Sequence, residues 1–280
     1  MNVLEVLQST SAYFKKREIE SARLNAEHLL AHALGRKRIE LYLDFDRPLG
    51  ETELAPLREL VRRRGQGEPL QHLLGTAEFC GHSFLCDKRA LIPRPETEEL
   101  VELLIAESSD RKPEMKILDV GTGSGVIALS LAAILTKAEV DAVDISPDAL
   151  ALARENADRL GLPDRVQFKE SDLMTSVTHL YDLIVANLPY VPSTDRASLS
   201  REVLRDPEMA LFGGETGDEM IRKLIAQAGE HLAPGGLLAL EIGIGQADGL
   251  SAALAAANYH DISQRHDSAG VTRFLLARYG

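Results

Sequence analysis

Cysteine is scarce: Cys80 and Cys86 are the only two in 280 residues. Two thiols make no disulfide framework, and they lack the four-ligand spacing of a zinc site. Both are expected as small buried hydrophobes. No run of about 18 apolar residues occurs, so no membrane-spanning helix is expected. The amino terminus lacks the basic-then-apolar pattern of an export signal, with Glu5 in its first turn, and a cytoplasmic location is the default expectation. Internal repeats and low-complexity tracts are missing too. Positive charge is also short. Lys and Arg number 31 against 43 Asp and Glu, giving a formal charge of −12 and a pI near 5.2. A grip on a phosphate backbone depends on clustered Lys and Arg, so nucleic acid is a poor candidate partner. The eight His residues form no paired ligand motif, and no metal is expected.

What is present is an ordinary globular composition, 45% apolar, over a length that suggests two domains. Residues 1–75 read as helical. Val3, Leu4, Val6 and Leu7 recur at helical spacing. Ser21 is placed to cap a second helix, and Gly35 to stop it. A further helix is expected over 52–64, ending in Arg62-Arg63-Arg64, where cations suit a helix C-terminus. That basic run also suits an acidic partner. Residues 79–86 suggest a β-hairpin with Gly81 in its middle. The segment from Leu91 to Glu98 carries two prolines. It reads either as a stiff linker or as a loop bringing Arg94 and Glu96 towards a pocket. The expected division is 1–75 helical, 76–95 hairpin and linker, and 96–280 catalytic.

From about residue 112 strands alternate with helices, the pattern of a mostly parallel sheet covered on both faces. Strands are expected over 116–120, 139–144, 166–169, 181–186 and 236–242. Helices are expected over 126–135, 147–160, 219–232 and 247–257. Ser146-Pro147 caps one of these helices. An antiparallel pair, 259–266 with 271–278, closes the domain.

Two stretches carry chemistry. In Asn187-Leu188-Pro189-Tyr190, Pro189 pushes Leu188 to the extended region, which directs its carbonyl. Asn187 adds a side-chain carbonyl as a second acceptor. Two convergent acceptors beside the aromatic Tyr190 suit a flat group bearing an NH2, although Asn and Pro after a strand also make a plain turn. The second stretch is Gly121-Thr122-Gly123-Ser124-Gly125. Its spacing is G-x-G-x-G, so the dinucleotide fingerprint fails at the third glycine, and no P-loop Lys follows. Asp144, 19 residues beyond Gly125, is placed to accept both ribose hydroxyls of a nucleoside. Asp172, followed by Leu173, is placed for the adenine amino group. A glycine turn and two strand-end acids in consecutive units favour a nucleoside without pyrophosphate. S-adenosylmethionine fits that description, with S-adenosylhomocysteine as its product.

The chain resembles a class I S-adenosylmethionine-dependent methyltransferase. More narrowly, it resembles the peptide-chain release factor glutamine N5-methyltransferases, the PrmC/HemK family. The resemblance covers nearly the whole chain. It includes the helical N-terminal part, Gly67-Glu68-Pro69, and Pro93-Arg94-Pro95-Glu96-Thr97-Glu98. It continues through the glycine loop, Asn187-Leu188-Pro189-Tyr190, Ala210-Leu211 with Gly213-Gly214, and Glu241-Ile242-Gly243 with Gln246. The family usually reads Asn-Pro-Pro-Tyr, and Leu188 departs from it while keeping the carbonyl. The resemblance implies a Rossmann-like domain with a seven-stranded sheet whose last strand is antiparallel. It implies methylation of the glutamine of the Gly-Gly-Gln motif in bacterial class I release factors. Asn187, Leu188, Pro189 and Tyr190 would be catalytic. Gly121 to Gly125, Asp144, Asp172, Leu173 and Asn187 would hold the cofactor. A monomer is expected.

The alternative is an N6-adenine or other exocyclic-amine methyltransferase on nucleic acid, since the same loop serves an aromatic amine. Such an enzyme must extract a base and hold a phosphate backbone, which the charge of −12 disfavours. A non-catalytic binding module would not need Asp144, Asn187 and three glycines together. A nicotinamide dehydrogenase lacks its third glycine.

Overall fold

The computed structural model describes residues 1–108 and 113–280, so the change of pattern near residue 112 lies outside the described residues. The chain forms two compact units, one of residues 1–76 with 200–205, the other of residues 77–199 with 206–280.

The first unit is helical: α1 (Val3–Lys15), α2 (Ala22–Ala33), α3 (Glu51–Arg64) and α4 (Leu70–Leu74). Asn2 opens α1 with a reciprocal box. Its side chain accepts from the Glu5 amide at 2.8 Å, and the Glu5 carboxylate accepts from the Asn2 amide at 3.0 Å. Ser21 stands at the start of α2 but makes no side-chain cap, contrary to expectation. Its φ of 48° is left-handed, and a capping hydroxyl needs an extended backbone to reach the first amides. Gly35 ends α2 as expected. With φ at 62°, its N–H reaches the His32 carbonyl while Arg36 N–H reaches Ala31. Leu7, Phe14, Leu29, Leu30 and Leu41 form the core of this unit. The arginine run at the end of α3 is fully engaged: Arg62 pairs with Glu59 and Arg63 with Glu68. Arg64 is buried, with Asn25, the Glu68 carbonyl and Glu202 around its guanidinium.

Leading into the second unit, β1 (Thr76–Phe79) and β2 (His82–Leu85) form the hairpin, beginning three residues earlier than read from sequence. Cys80 and Gly81 both have positive φ, the signature of a tight two-residue hairpin turn. Cys80 is only half-buried there, unlike the buried Cys86, because a turn tip cannot be enclosed. Burial still raises both thiols, to about 11 and about 12 respectively. Phe79 and Phe84 meet edge to face and sink into the main core.

There follow α5 (Pro95–Ser108), β3 (Lys116–Val120), α6 (Val126–Ile134), β4 (Glu139–Asp144), α7 (Pro147–Leu160), β5 (Val166–Glu170) and β6 (Tyr181–Asn187). The unit ends with α8 (Glu208–Leu211), α9 (Glu219–Ala228), β7 (Leu232–Glu241), α10 (Ala247–Ala256), β8 (Tyr259–His266) and β9 (Thr272–Tyr279). The sheet order is β5-β4-β3-β6-β7-β9-β8, parallel except for β9, which runs antiparallel to both neighbours. This is the expected architecture. Strand β7 begins four residues before the expected start, and α9 stops correspondingly early. Leu232 pairs with Tyr181 and is buried there, so tertiary pairing overrides the local helical pattern.

Alternation along the central strands sorts side chains onto two faces. Leu183, Val185, Leu237 and Ala239 pack in one core with Leu100, Val101 and Leu104 of α5. Ile184, Ala186, Leu238 and Leu240 pack in the other, with Ile221 and Leu224 of α9. Asn187 and Glu241 are register partners at the C-terminal edge. The period of two puts both on the α5 face.

Candidate active site

The C-terminal edge of β3, β4 and β6 opens into a cleft of about 980 Å3, solvent-open mouth included. Parallel sheets bind their ligands at this edge. Gly121 to Ser124, Asp144, Asp172, Leu173, Asn187, Leu188 and Pro189 all line it. Arg94 and Thr97 join them from the proline-rich segment. Two expected residues stand apart. Gly125 is the left-handed start of α6, and an added Cβ there would press on Ala153 and Leu129 at 3.1 Å each. Tyr190 turns its hydroxyl to Glu241 at 3.5 Å instead of facing the cleft.

The glycine turn takes its shape from the neighbouring strand, β4. The amides of Gly121 and Thr122 both reach the Val143 carbonyl, at 2.8 and 3.0 Å. Gly121 and Gly123 have φ of 75° and 56°, where side chains are strained. Asp119, at the end of β3, is wholly buried. Its Oδ2 accepts from the Thr122 hydroxyl and the Ala128 amide, and desolvation pushes its carboxyl up to about 7. Asp144 spans the turn from β4. Its Oδ2 accepts from Gly123 N–H at 2.8 Å and its Oδ1 from Ser146 N–H at 2.9 Å. Burial raises its pKa. Each oxygen keeps a second lone pair for a ribose hydroxyl. Asp172, just past the end of the neighbouring strand β5, is exposed in the cleft beside the buried Leu173.

Two cations line the cleft, and both are engaged. Arg89 makes paired bonds to Asp87 and Glu155. Arg94 donates to Asp206 at 2.6 Å, and the other Asp206 oxygen accepts from Ile92 N–H. Acids for hydroxyls and an amine, with both cations spoken for, suit a nucleoside without a phosphate chain. The residues therefore fit S-adenosylmethionine.

The Asn187 loop is clamped from below. Val191 N–H reaches the Leu211 carbonyl, Gly213 N–H reaches Val191, and Ser193 N–H reaches Gly214. A Cβ on Gly213 would collide with the Pro189 carbonyl, and one on Gly217 would lie 2.5 Å from the Tyr190 carbonyl. Gln246 completes the clamp: its Nε2 donates to the Tyr190 carbonyl and its Oε1 accepts from Gly243 N–H. The Gly213-Gly214 and Gln246 signatures thus shape the loop. Sequence reasoning gave no role to Thr97, Asp206 or Glu241. Thr97 accepts from the Asn187 Nδ2 at 3.0 Å and donates to Glu241 at 2.7 Å. Its place inside the Pro-Arg-Pro-Glu-Thr-Glu string was the available signal. Glu96 beside it is not among the residues lining the cleft.

Residues 5–75 match the PrmC N-terminal domain and residues 97–215 the methyltransferase small domain. A release factor glutamine methyltransferase of Geobacter sulfurreducens is 42% identical over 99% of this chain and 97% of its own. One of Deinococcus radiodurans is 40% identical over 99% of both chains. Among solved structures, a methyltransferase from Pyrococcus furiosus superposes with TM-score 0.54 at 19% identity, over 71% of this chain and 90% of its own, a likeness of fold. The chain belongs to the release factor glutamine methyltransferase family.

Proposed function

We infer that this chain transfers a methyl group from S-adenosylmethionine to the side-chain amide nitrogen, N5, of the Gly-Gly-Gln glutamine in class I peptide-chain release factors. The observation that carries this reading is one cleft lined by both the glycine turn and the Asn187-Leu188 acceptor pair. When bound, S-adenosylmethionine supplies a methyl group on a positively charged sulfur. Asp144 accepts from ribose hydroxyls, while Asp172 and Leu173 meet the adenine. The backbone of Gly121 to Gly125 permits close approach. The amide nitrogen of glutamine is a weak nucleophile because its lone pair is delocalised. Asn187 Oδ1 and the Leu188 carbonyl accept its two N–H bonds, aim the nitrogen and favour the positive charge it gathers during attack. Pro189 holds Leu188 extended for that purpose. Tyr190 shapes this pocket from behind, through its clamped carbonyl.

We propose the helical unit, residues 1–75, as the part that holds the release factor away from its Gly-Gly-Gln loop. The charge of −12 supports a protein substrate over a nucleic acid one. Among the described residues no helix is long and apolar enough to cross a membrane. We further propose that the enzyme acts as a monomer in the cytoplasm, where release factors meet ribosomes.

The test is mass spectrometry of a release factor incubated with this protein and S-adenosylmethionine. A gain of one methyl group, mapped to the Gly-Gly-Gln glutamine, is expected. No gain, with cofactor binding confirmed by calorimetry, would overturn the assigned substrate.

A further inference from the structure

We propose that Thr97 and Glu241 form a positioning relay that decides which atom of the Asn187 amide faces the cleft. This rests on the reading of Asn187 as an acceptor for the substrate amide.

An asparagine side chain has nearly the same shape either way round, so its partners must choose its orientation. With Glu241 ionised, the choice is forced by counting protons. Thr97 has one hydroxyl hydrogen, and it is given to Glu241 Oε2 at 2.7 Å. What remains on the Thr97 oxygen is acceptor capacity alone. Asn187 Nδ2 fills it at 3.0 Å. The NH2 end is thereby turned away from the substrate, and Oδ1 is left as the end presented to it. Were the Thr97 hydroxyl to swing round and donate to Asn187, Glu241 would lose its bond. The Asn187 NH2 would then face an incoming NH2, donor against donor.

The root of the relay is the carboxylate. Glu241 is 1% exposed at the end of a central strand. A carboxylate there is costly to bury, and packing alone would favour an apolar side chain. Ionised, it only accepts, and this keeps Thr97 pointed at it. Its other oxygen faces the Tyr190 hydroxyl at 3.5 Å. Burial is the largest influence and opposes the charged form, as does nearby Glu96, while the Thr97 hydrogen bond and Arg273 favour it. The three side chains come from α5, β6 and β7. Thr97 lines the cleft with Asn187, while Glu241 touches neither cofactor nor substrate space. Both act through Asn187.

The test uses the full-length protein and its Thr97→Val and Thr97→Ser variants. Valine keeps the branched shape and removes the hydroxyl. Turnover and KM are measured on intact release factor, with the S-adenosylmethionine Kd measured by calorimetry. The expected result is a kcat about 100-fold lower for Thr97→Val, comparable with loss of one preorganised polar contact. Kd should be unchanged, and Thr97→Ser should recover most of the loss. A Thr97→Val enzyme with normal kcat, or a Thr97→Ser enzyme as impaired as Thr97→Val, would overturn the relay. A second readout needs no activity. In NMR spectra of the wild-type protein, the Asn187 NH2 protons should show a nuclear Overhauser contact to the Thr97 methyl. Its presence in a protein that methylates no release factor would uphold the relay while sinking the assigned substrate. Its absence would overturn the relay whatever the substrate.

Discussion

A side-chain methyl of Leu188 stands 2.8 Å from where a Cβ on Gly121 would fall. The first glycine of the turn and the second residue of the acceptor loop are thus fitted to each other. Gly121→Ala meets this contact and also a φ of 75°. It should lose about 1–3 kcal/mol of stability, read as a lower denaturant midpoint at unchanged slope. In a Leu188→Ala background the contact is gone, and the loss should shrink to the backbone strain alone. Equal losses in both backgrounds would refute the fit.

Asn187→Ala removes one of the two proposed acceptors and leaves the glycine turn untouched. Calorimetry should show S-adenosylmethionine still bound, while kcat on release factor falls by roughly 100- to 1,000-fold. Unchanged turnover would take Asn187 out of the mechanism.

Burial holds the Glu241 carboxyl at about 7, against an ordinary value of 4.5. Below 4.5 it is protonated in the folded and unfolded chain alike and carries no penalty. Between 4.5 and 7 the unfolded chain releases its proton more readily, so folded-state stability declines as pH rises. Above 7 the penalty is complete, on the order of 3 kcal/mol at about 1.4 kcal/mol per pKa unit. Glu241→Gln does not titrate. Its melting temperature relative to wild type should climb across that window and then level off. A flat difference from pH 4 to 8 would contradict the raised pKa. Turnover of the wild type should move the opposite way, falling as pH drops through about 7. A protonated Glu241 can donate to Thr97 and release the hydroxyl to turn towards Asn187.

Removing residues 1–75 should leave S-adenosylmethionine binding in place and abolish methylation of intact release factor. Full activity in the truncated enzyme would show that the helical unit has no part in holding the substrate.

The alternation of strands and helices after residue 112, the caps at Ser146 and Gly35, and the acids at the ends of β4 and β5 were legible in the chain. Each is a local signal: a period of two or 3.6, a turn residue, or a fixed distance from the glycine turn. Ser21 misled because its hydroxyl suits a cap while its left-handed backbone does not. The start of β7 misled because Leu232 takes its state from Tyr181, about fifty positions earlier.

The sequence by itself determined the order of strands and helices and set the glycine turn, Asp144 and Asn187-Leu188-Pro189-Tyr190 at strand ends, while the reaction class followed from the family resemblance those residues carry. Only the tertiary structure decided how that chemistry is oriented. Thr97, Asn187 and Glu241 are spread over 144 positions and meet because α5 lies across β6 and β7. A hydrogen bond reaches about 3 Å and depends on direction, and no sequence spacing on that scale encodes it.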